Sequence, residues 1–534
     1  MDKKNILLPI IIALSLIVGV FLGNLLSSRT SQNPFSGDEG SSNGKMDMIL
    51  NLIDRQYVDE VDIDSLSELV IPKILSDLDP HSSYIPEDEL QIVNDDLSGS
   101  FSGIGVQFNI QQDTVVIIQV INGGPSEHLG IQPGDRIVEV DDSSFVGKVI
   151  NNDKVVKKLR GPKNTKVKLG IKRANTSEIL HFTVIRGDVP TNSVDACYML
   201  NQKIGYVKVS KFGATTYEEF CDALFSLKKQ GAESFVIDLR ENSGGYLDAA
   251  INMINLFLSR NELIVYTEGK AQERADAIAD GKGYFQKEPL AVLIDEWSAS
   301  ASEIFSGAIQ DNDRGIIIGR RSFGKGLVQQ QIPLRDGSAV RLTIARYYTP
   351  SGRCIQKPYD NKDDYEMEVY KRYESGELDS DTVQVIADSV KYYTNKGRVV
   401  YGGGGITPDV IIPRDTIGVT KYYTKLHNTA TLYEYSFRYT DEHRNELKSY
   451  KSVDGLMTHL EKINLCDGLV AYAKTKGIEK EKEPMTAETR SRINRLLKAY
   501  IVRNFFGDSG FYPIYNEGDN VIGTAVKKLE EQVR

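Results

Sequence analysis

At 534 residues, 40% of them apolar and 26% charged, the chain has room for about three or four domains and the composition of an ordinary globular protein. A net charge of -10 gives no general case for nucleic acid, which usually needs a basic face. Cys197, Cys221, Cys354 and Cys466 stand far apart with no CxxC pair, which argues against a zinc or redox motif and offers no disulfide framework.

The elements follow in chain order. After Lys3 and Lys4 comes "NILLPIIIALSLIVGVFLGNLL", an uncharged run of about 22 residues, enough to span a hydrocarbon core of roughly 30 Å as a helix. The lysines favour an inner side for the N-terminus. The expectation is an uncleaved single-pass anchor over 1–26 in the inner, cytoplasmic membrane, with the catalytic part on the periplasmic or extracytoplasmic side. A cleaved signal peptide is the alternative, but the run is long for one and no clear A-x-A site follows. Residues 27–44, rich in Ser, Gly and Asn, read as a flexible tether. Helical spacing over 45–97 (Met48, Leu52, Ile53, Tyr57; then Leu66, Leu69, Val70, Ile74) predicts a small helical domain, with Asp64 and Ser65 capping its second helix.

From 98 to 190 short β-branched runs, "GIGVQFNI", "TVVIIQVI", "DRIVEV", "KVKLGIKR" and "ILHFTVIR", predict a compact β-rich module, with helical pieces at "PSEHLG" and "NDKVVKKLRG". Over 191–415 strands alternate with amphipathic helices, which predicts an α/β sheet flanked by helices. Within it, 358–400 is charged and Tyr-rich and reads as an insertion. Residues 416–534 read as a mainly helical extension, for which dimerisation or the docking of a partner are open roles.

Three segments carry chemistry. "LAVLIDEWSASASEIFSGAIQ" sets Ser298, Ser300 and Ser302 where a buried strand gives way to a helix. A serine there can attack a carbonyl, the amide beside it can meet the oxyanion, and small neighbours such as Ala299 and Ala301 let a substrate backbone approach. The bland reading is a capped helix start. "GRRSFGKGLVQQQIPL" holds Lys325 between two glycines; burial that disfavours the ammonium turns such a lysine into a general base. Gln329, four residues on, shares its face if the segment is a strand, and its amide orients the amine without adding charge. The bland reading is a solvated turn. "VIDLRENSGGYLDAA" ends a strand at Asp238–Arg240, and the Gly244–Gly245 pair that follows before a helix has N–H groups that suit an oxyanion; the bland reading is a glycine turn.

"DLRENSGG", "SASASEIFSGAIQDN", "GRRSFGKGLVQQ" and "GGITPDV", in this order and spacing, resemble the carboxyl-terminal processing protease family, the tail-specific S41 peptidases of the Ser–Lys type, over most of 45–415. The resemblance implies an α/β, crotonase-like protease core over 191–415, an inserted PDZ domain over 98–190, a helical N-terminal domain and a C-terminal helical extension. It implies that Ser300, the middle serine, is the nucleophile, that Lys325 is its base with Gln329 as partner, and that Ser298 and Ser302 pack or cap. It implies an oxyanion hole of the Ala301 amide and one amide of Gly244–Gly245, either of the two. "LDPHSSYIP" resembles the family's N-terminal region, with His81 structural. "FSGIGVQF" resembles the carboxylate-binding loop of a PDZ domain, and "GPSEHLGIQPGDRIVEVDD" its typical segment. Gly103, Ile104, Gly105 and Val106 are thereby expected to bind the C-terminus of an apolar-ended polypeptide.

The expected activity is that of a serine endopeptidase acting on exported proteins with apolar C-termini, tethered to the membrane by its first helix, gated by peptide in the PDZ groove and requiring no metal or organic cofactor. A homo-oligomer stays open. Two rivals are a catalytically inactive PDZ peptide-binding scaffold, against which the intact Ser, Lys and Gln argue, and an acyl-carrier hydrolase on a related sheet, which needs a pocket the chain replaces with a peptide-binding module.

Overall fold

Apolar runs without polar alternation need cover on both faces, as in parallel sheets, and such runs build the centre of this molecule. The computed structural model describes residues 44–111, 113–148, 150–173, 176–382, 390–479 and 485–533. Among them a six-stranded sheet runs in the order Val194–Met199, Ile204–Val209, Ser234–Asp238, Leu290–Ile294, Ile316–Gly319 and Val410–Ile411. The first pairing is antiparallel and the rest are parallel. Alternate side chains take opposite faces. Phe235, Ile237, Val292 and Ile294 join one core, shared with Thr216–Lys229, Leu247–Asn255 and the wholly buried helix Ala301–Asp311. Val236, Ala291 and Leu293 meet Val521, Ile522, Ala525 and Leu529 of the last helix, Asn520–Val533. The end of the helical extension thus forms the second face of the core sheet.

A second sheet carries the hairpin Leu327–Pro333 and Ala339–Tyr348, with Leu263–Glu268 and Ala275–Ile278 beyond. Ser83–Ile85 pairs with the start of Ala339–Tyr348, so the "LDPHSSYIP" segment is drawn into this sheet. The β-rich module is an antiparallel sheet of Val106–Gln111, Thr114–Val120, Arg136–Val140, Lys166–Lys172 and Ile179–Ile185, with helix Asn152–Leu159 against its core. Its entering strand, Ser100–Gly103, pairs with its leaving strand, Gly187–Pro190. "PSEHLG" yields only a 3-10 turn, Glu127–Leu129. The 358–400 segment contains helix Lys362–Glu374 and a hairpin of Lys391–Tyr393 with Val399–Tyr401.

The chain divides into two compact units, residues 1–75 and 76–534. The first contains helix Gly44–Gln56 and nearly all of Ile63–Ser76. The second helix is capped by Asp62, not by Asp64 or Ser65: the Asp62 carboxylate accepts from both their N–H groups, at 3.1 and 3.2 Å. The single-pass anchor and the extracytoplasmic location that followed from it are corrected. Among the described residues no helix is long and apolar enough to cross a membrane; the longest, Ala487–Tyr515, carries Arg490, Arg492, Arg495, Lys498 and Arg503. Residues 1–26, on which the expectation rested, lie outside the described residues, as does nearly all of the 27–44 tether.

Candidate active site

The strand Leu290–Ile294 ends in a turn, and Ser300 is the residue from which helix Ala301–Asp311 starts. Its φ of 55° and ψ of -113° fall where a residue with a Cβ seldom sits. Such strain persists only where the surroundings over-determine it, and they do. Ser298 Oγ donates to the Leu239 carbonyl at 2.8 Å, Ala299 N–H to Asn242 O at 3.0 Å, and Ser302 Oγ to the same Asn242 O at 2.8 Å. The serines on either side of Ser300 therefore moor the helix start to the "DLRENSGG" turn.

Glu303 went unnoticed in the sequence. It is fully buried, and one carboxylate oxygen accepts from Ser300 N–H at 2.9 Å and Lys325 N–H at 2.8 Å. The other accepts from Ser322 Oγ at 2.5 Å and Gly324 N–H at 2.6 Å. Tyr347 makes a second bridge, its hydroxyl donating to the Ser300 carbonyl at 3.2 Å and to the Lys325 carbonyl. Phe323 N–H adds a third, to Ser298 O at 3.0 Å. The sequence signal was available: Ser300-Ala-Ser-Glu303 is the capping-box pattern.

Burial pushes the Glu303 carboxyl up to about 7 against the pull of its four donors. The folded state then binds this proton more tightly than the unfolded one. The stability it brings is complete below the ordinary glutamate range and is lost as pH rises through about 7. Glu303→Gln keeps the volume but turns one acceptor oxygen into a donor facing N–H groups. It is expected to cost about 1–3 kcal/mol in urea unfolding and to lower kcat. The stability gap to the parent should narrow between pH 5 and pH 8, because the variant has no carboxyl to titrate.

Lys325 lies on the loop between Ser322 and the strand Leu327–Pro333. Burial pushes its amine below the ordinary lysine value, helped by the nearby Arg341 cation and opposed by Glu303 and Asp79. Among the described residues no hydrogen bond joins its Nζ to Ser300 Oγ or to Gln329. The i, i+4 face-sharing expected of Gln329 is broken by a bulge between Val328 and Gln329. Gln329 Nε2 donates instead to Thr343 Oγ1 at 3.3 Å, and Thr343 Oγ1 to Asp79 Oδ1 at 3.1 Å. His81 Nε2 sits 2.7 Å from the Tyr365 hydroxyl, and burial, with Lys325 nearby, pushes the imidazole down to about 4. The 358–400 segment supports this loop: Arg372 donates to the carbonyls of Arg321 at 2.7 Å and Ser322 at 3.2 Å. Cys354 is half-buried, and burial pushes its thiol up.

The glycine pair reaches the serine. A Cβ on Gly244 would fall 2.8 Å from Ser300 Cβ and 3.0 Å from Ala301 N, so this approach requires glycine. Gly244 N–H is already taken by Asn242 Oδ1 at 2.9 Å. Neither the Gly245 nor the Ala301 N–H has an acceptor among the described residues.

Gly103 ends the entering strand and Val106 begins the first strand of the β-rich module; Ile104, Gly105 and Val106, but not Gly103, border a cavity of about 650 Å³ with Val156, Leu159 and Arg160. The carbonyls of Ile104 and Gly105 are engaged by Ser126 and Ile121, whereas their N–H groups have no acceptor among the described residues. Buried, unpaired N–H groups in a loop make an anion site. Arg160, also missed, lies over the Phe101 ring at 4.1 Å and faces Asp95 at 3.6 Å.

Residues 203–367 match Peptidase family S41 and residues 116–173 match the PDZ domain. Residues 422–507 match a family of unknown function (DUF8443). The carboxy-terminal processing protease CtpB of Bacillus subtilis is 34% identical over 353 residues, 64% of this chain and 72% of that protein. A probable CtpA-like serine protease of Staphylococcus aureus is 34% identical over 313 residues, 58% of this chain and 62% of that protein. Among solved structures, a Photosystem II D1 C-terminal processing protease aligns at 27% identity over 69% of this chain and 92% of its own, with a TM-score of 0.36, too low to speak to the fold.

Proposed function

The chain belongs to the carboxy-terminal processing serine proteases of peptidase family S41, and from that premise we propose that Ser300 is its nucleophile and Lys325 its general base. The observation that carries this is the double tie between the two residues: one buried carboxylate, Glu303, and one hydroxyl, Tyr347, hold both backbones. Burial pushes the Lys325 amine toward its neutral form.

In the proposed reaction Ser300 Oγ attacks the scissile carbonyl while Lys325 Nζ takes its proton. The oxyanion is met by the N–H groups of Ala301 and Gly245, the two that lack acceptors. Lys325 returns the proton to the leaving amine, and a water, deprotonated by the same amine, hydrolyses the acyl-enzyme. For Gln329 to orient the amine, its amide has to leave Thr343. The core over 191–415 is assigned a crotonase-like α/β fold, 98–190 the PDZ domain, and 416–534 a helical extension. The free amides of Ile104 and Gly105 receive the terminal carboxylate of an apolar-ended polypeptide.

Cleavage of one unfolded polypeptide made with a free and with an amidated C-terminus tests this. The free acid is expected to be cut at least tenfold more efficiently in kcat/KM. Equal rates would remove the carboxylate loop from the reaction.

A further inference from the structure

The cavity beside the carboxylate loop has a wall that belongs neither to the PDZ match nor to the protease match. Phe506, Gly507, Asp508 and Ser509 line it together with Ile104 and Val106. They sit where helix Ala487–Tyr515 breaks. Gly507 has φ 61° and ψ -155°, a conformation that glycine alone takes readily. The break turns Phe506 over Gly510, where a Cβ would come within 2.7 Å of Phe506 Cβ. Ser509 Oγ closes the turn on the Phe506 carbonyl at 2.9 Å, and Arg503 pairs with Asp508 at 2.8 Å.

This kink is fixed from both sides. Toward the β-rich module, Phe437 and Tyr433 of helix Thr431–Glu442 pack on Val116 and Ile118, and Asp441 pairs with Arg136 at 3.2 Å. Toward the core, the Tyr512 hydroxyl donates to Asp195 at 2.9 Å, Asn516 Nδ2 to the Tyr198 hydroxyl at 2.9 Å, and Arg240 pairs with Asp519 at 2.7 Å. A segment anchored on both neighbours holds its place when a ligand arrives, so it restricts what enters.

We propose that the kink Phe506–Ser509 is the outer wall of the site for the substrate's C-terminus and limits the size of the apolar residue admitted there. The inference rests on the carboxylate-loop reading above. It gives the helical extension a part in choosing substrates: the Phe506 ring excludes bulky terminal side chains and favours small ones.

The test uses the full chain carrying Ser300→Ala, so that peptide is bound and not cut. Anisotropy is read with labelled decapeptides ending in Ala-Ala or in Ala-Phe, each as free acid and as amide. Phe506→Ala is expected to strengthen the Phe-ended acid about tenfold relative to the Ala-ended one, the scale of a pocket's size discrimination. Ser509→Trp, at an exposed position, is expected to weaken the Phe-ended acid more than the Ala-ended one. If both variants melt like the parent and rank the acids as it does, the wall is structural only and the proposal is overturned. A parent that binds acid and amide alike overturns the carboxylate-loop reading and the wall with it. A parent that prefers the acid, with variants that do not re-rank, overturns the wall alone. Should Phe506→Ala not fold, Ser509→Trp decides by itself.

Discussion

Ser300→Ala is expected to lower kcat by about three orders of magnitude or more while leaving the fold and peptide binding intact, because removal of a serine nucleophile leaves only what binding and the oxyanion site supply. Fold should survive because Ser300 is held by its backbone. Its N–H goes to Glu303 and its carbonyl to Tyr347, and alanine keeps both at the same positive φ. The measurement is turnover of an unfolded, apolar-tailed protein beside a thermal melt. Residual turnover equal to the parent's would mean that another serine carries the attack; Ser298 and Ser302 are poorly suited, each spending its hydroxyl on a backbone carbonyl.

The second large effect belongs to Lys325. Lys325→Ala and Lys325→Arg should both abolish turnover, the second because a guanidinium does not deprotonate at working pH. With Lys325 as the proposed base the neutral amine is the active form, so kcat/KM should climb with pH through a limb below the ordinary lysine value, as burial and Arg341 dictate. Arg341→Gln removes a neighbouring cation and should move that limb to higher pH. A limb at the value of free lysine would sink the assignment. The sign for stability follows from the same shift. With its folded value below the unfolded one, Lys325 favours the folded state only above the ordinary lysine range, and that contribution is lost as pH falls through the folded value. At neutral pH the charged amine is a burden, so Lys325→Met should leave the melting temperature unchanged or raised while activity is gone.

The segments of Ser300 and Lys325 stood out in the sequence, a strand-to-helix switch and a lysine between glycines, but which serine and which role came only from the family resemblance. Glu303 was overlooked although its pattern was visible, since three of its four donors come from residues 19 to 22 positions away. Gln329 was misjudged in geometry because a bulge leaves no reliable mark in composition. The strands of the β-rich module fell close to their expected bounds, as alternating β-branched runs do. The helices after 416 were readable from periodicity, but their docking was not. That Phe437 covers Val116 depends on surfaces more than three hundred residues apart in the chain.

The pairing of Ser100–Gly103 with Gly187–Pro190 has a further consequence. Because the module's way in and way out are hydrogen-bonded neighbours, the core sees an insertion of any length as a short bridged gap. Such an arrangement makes the recognition unit a cassette. Closing entropy grows only slowly with what is carried between the two ends, so the same catalytic scaffold can exchange its address reader without rebuilding the sheet that cuts.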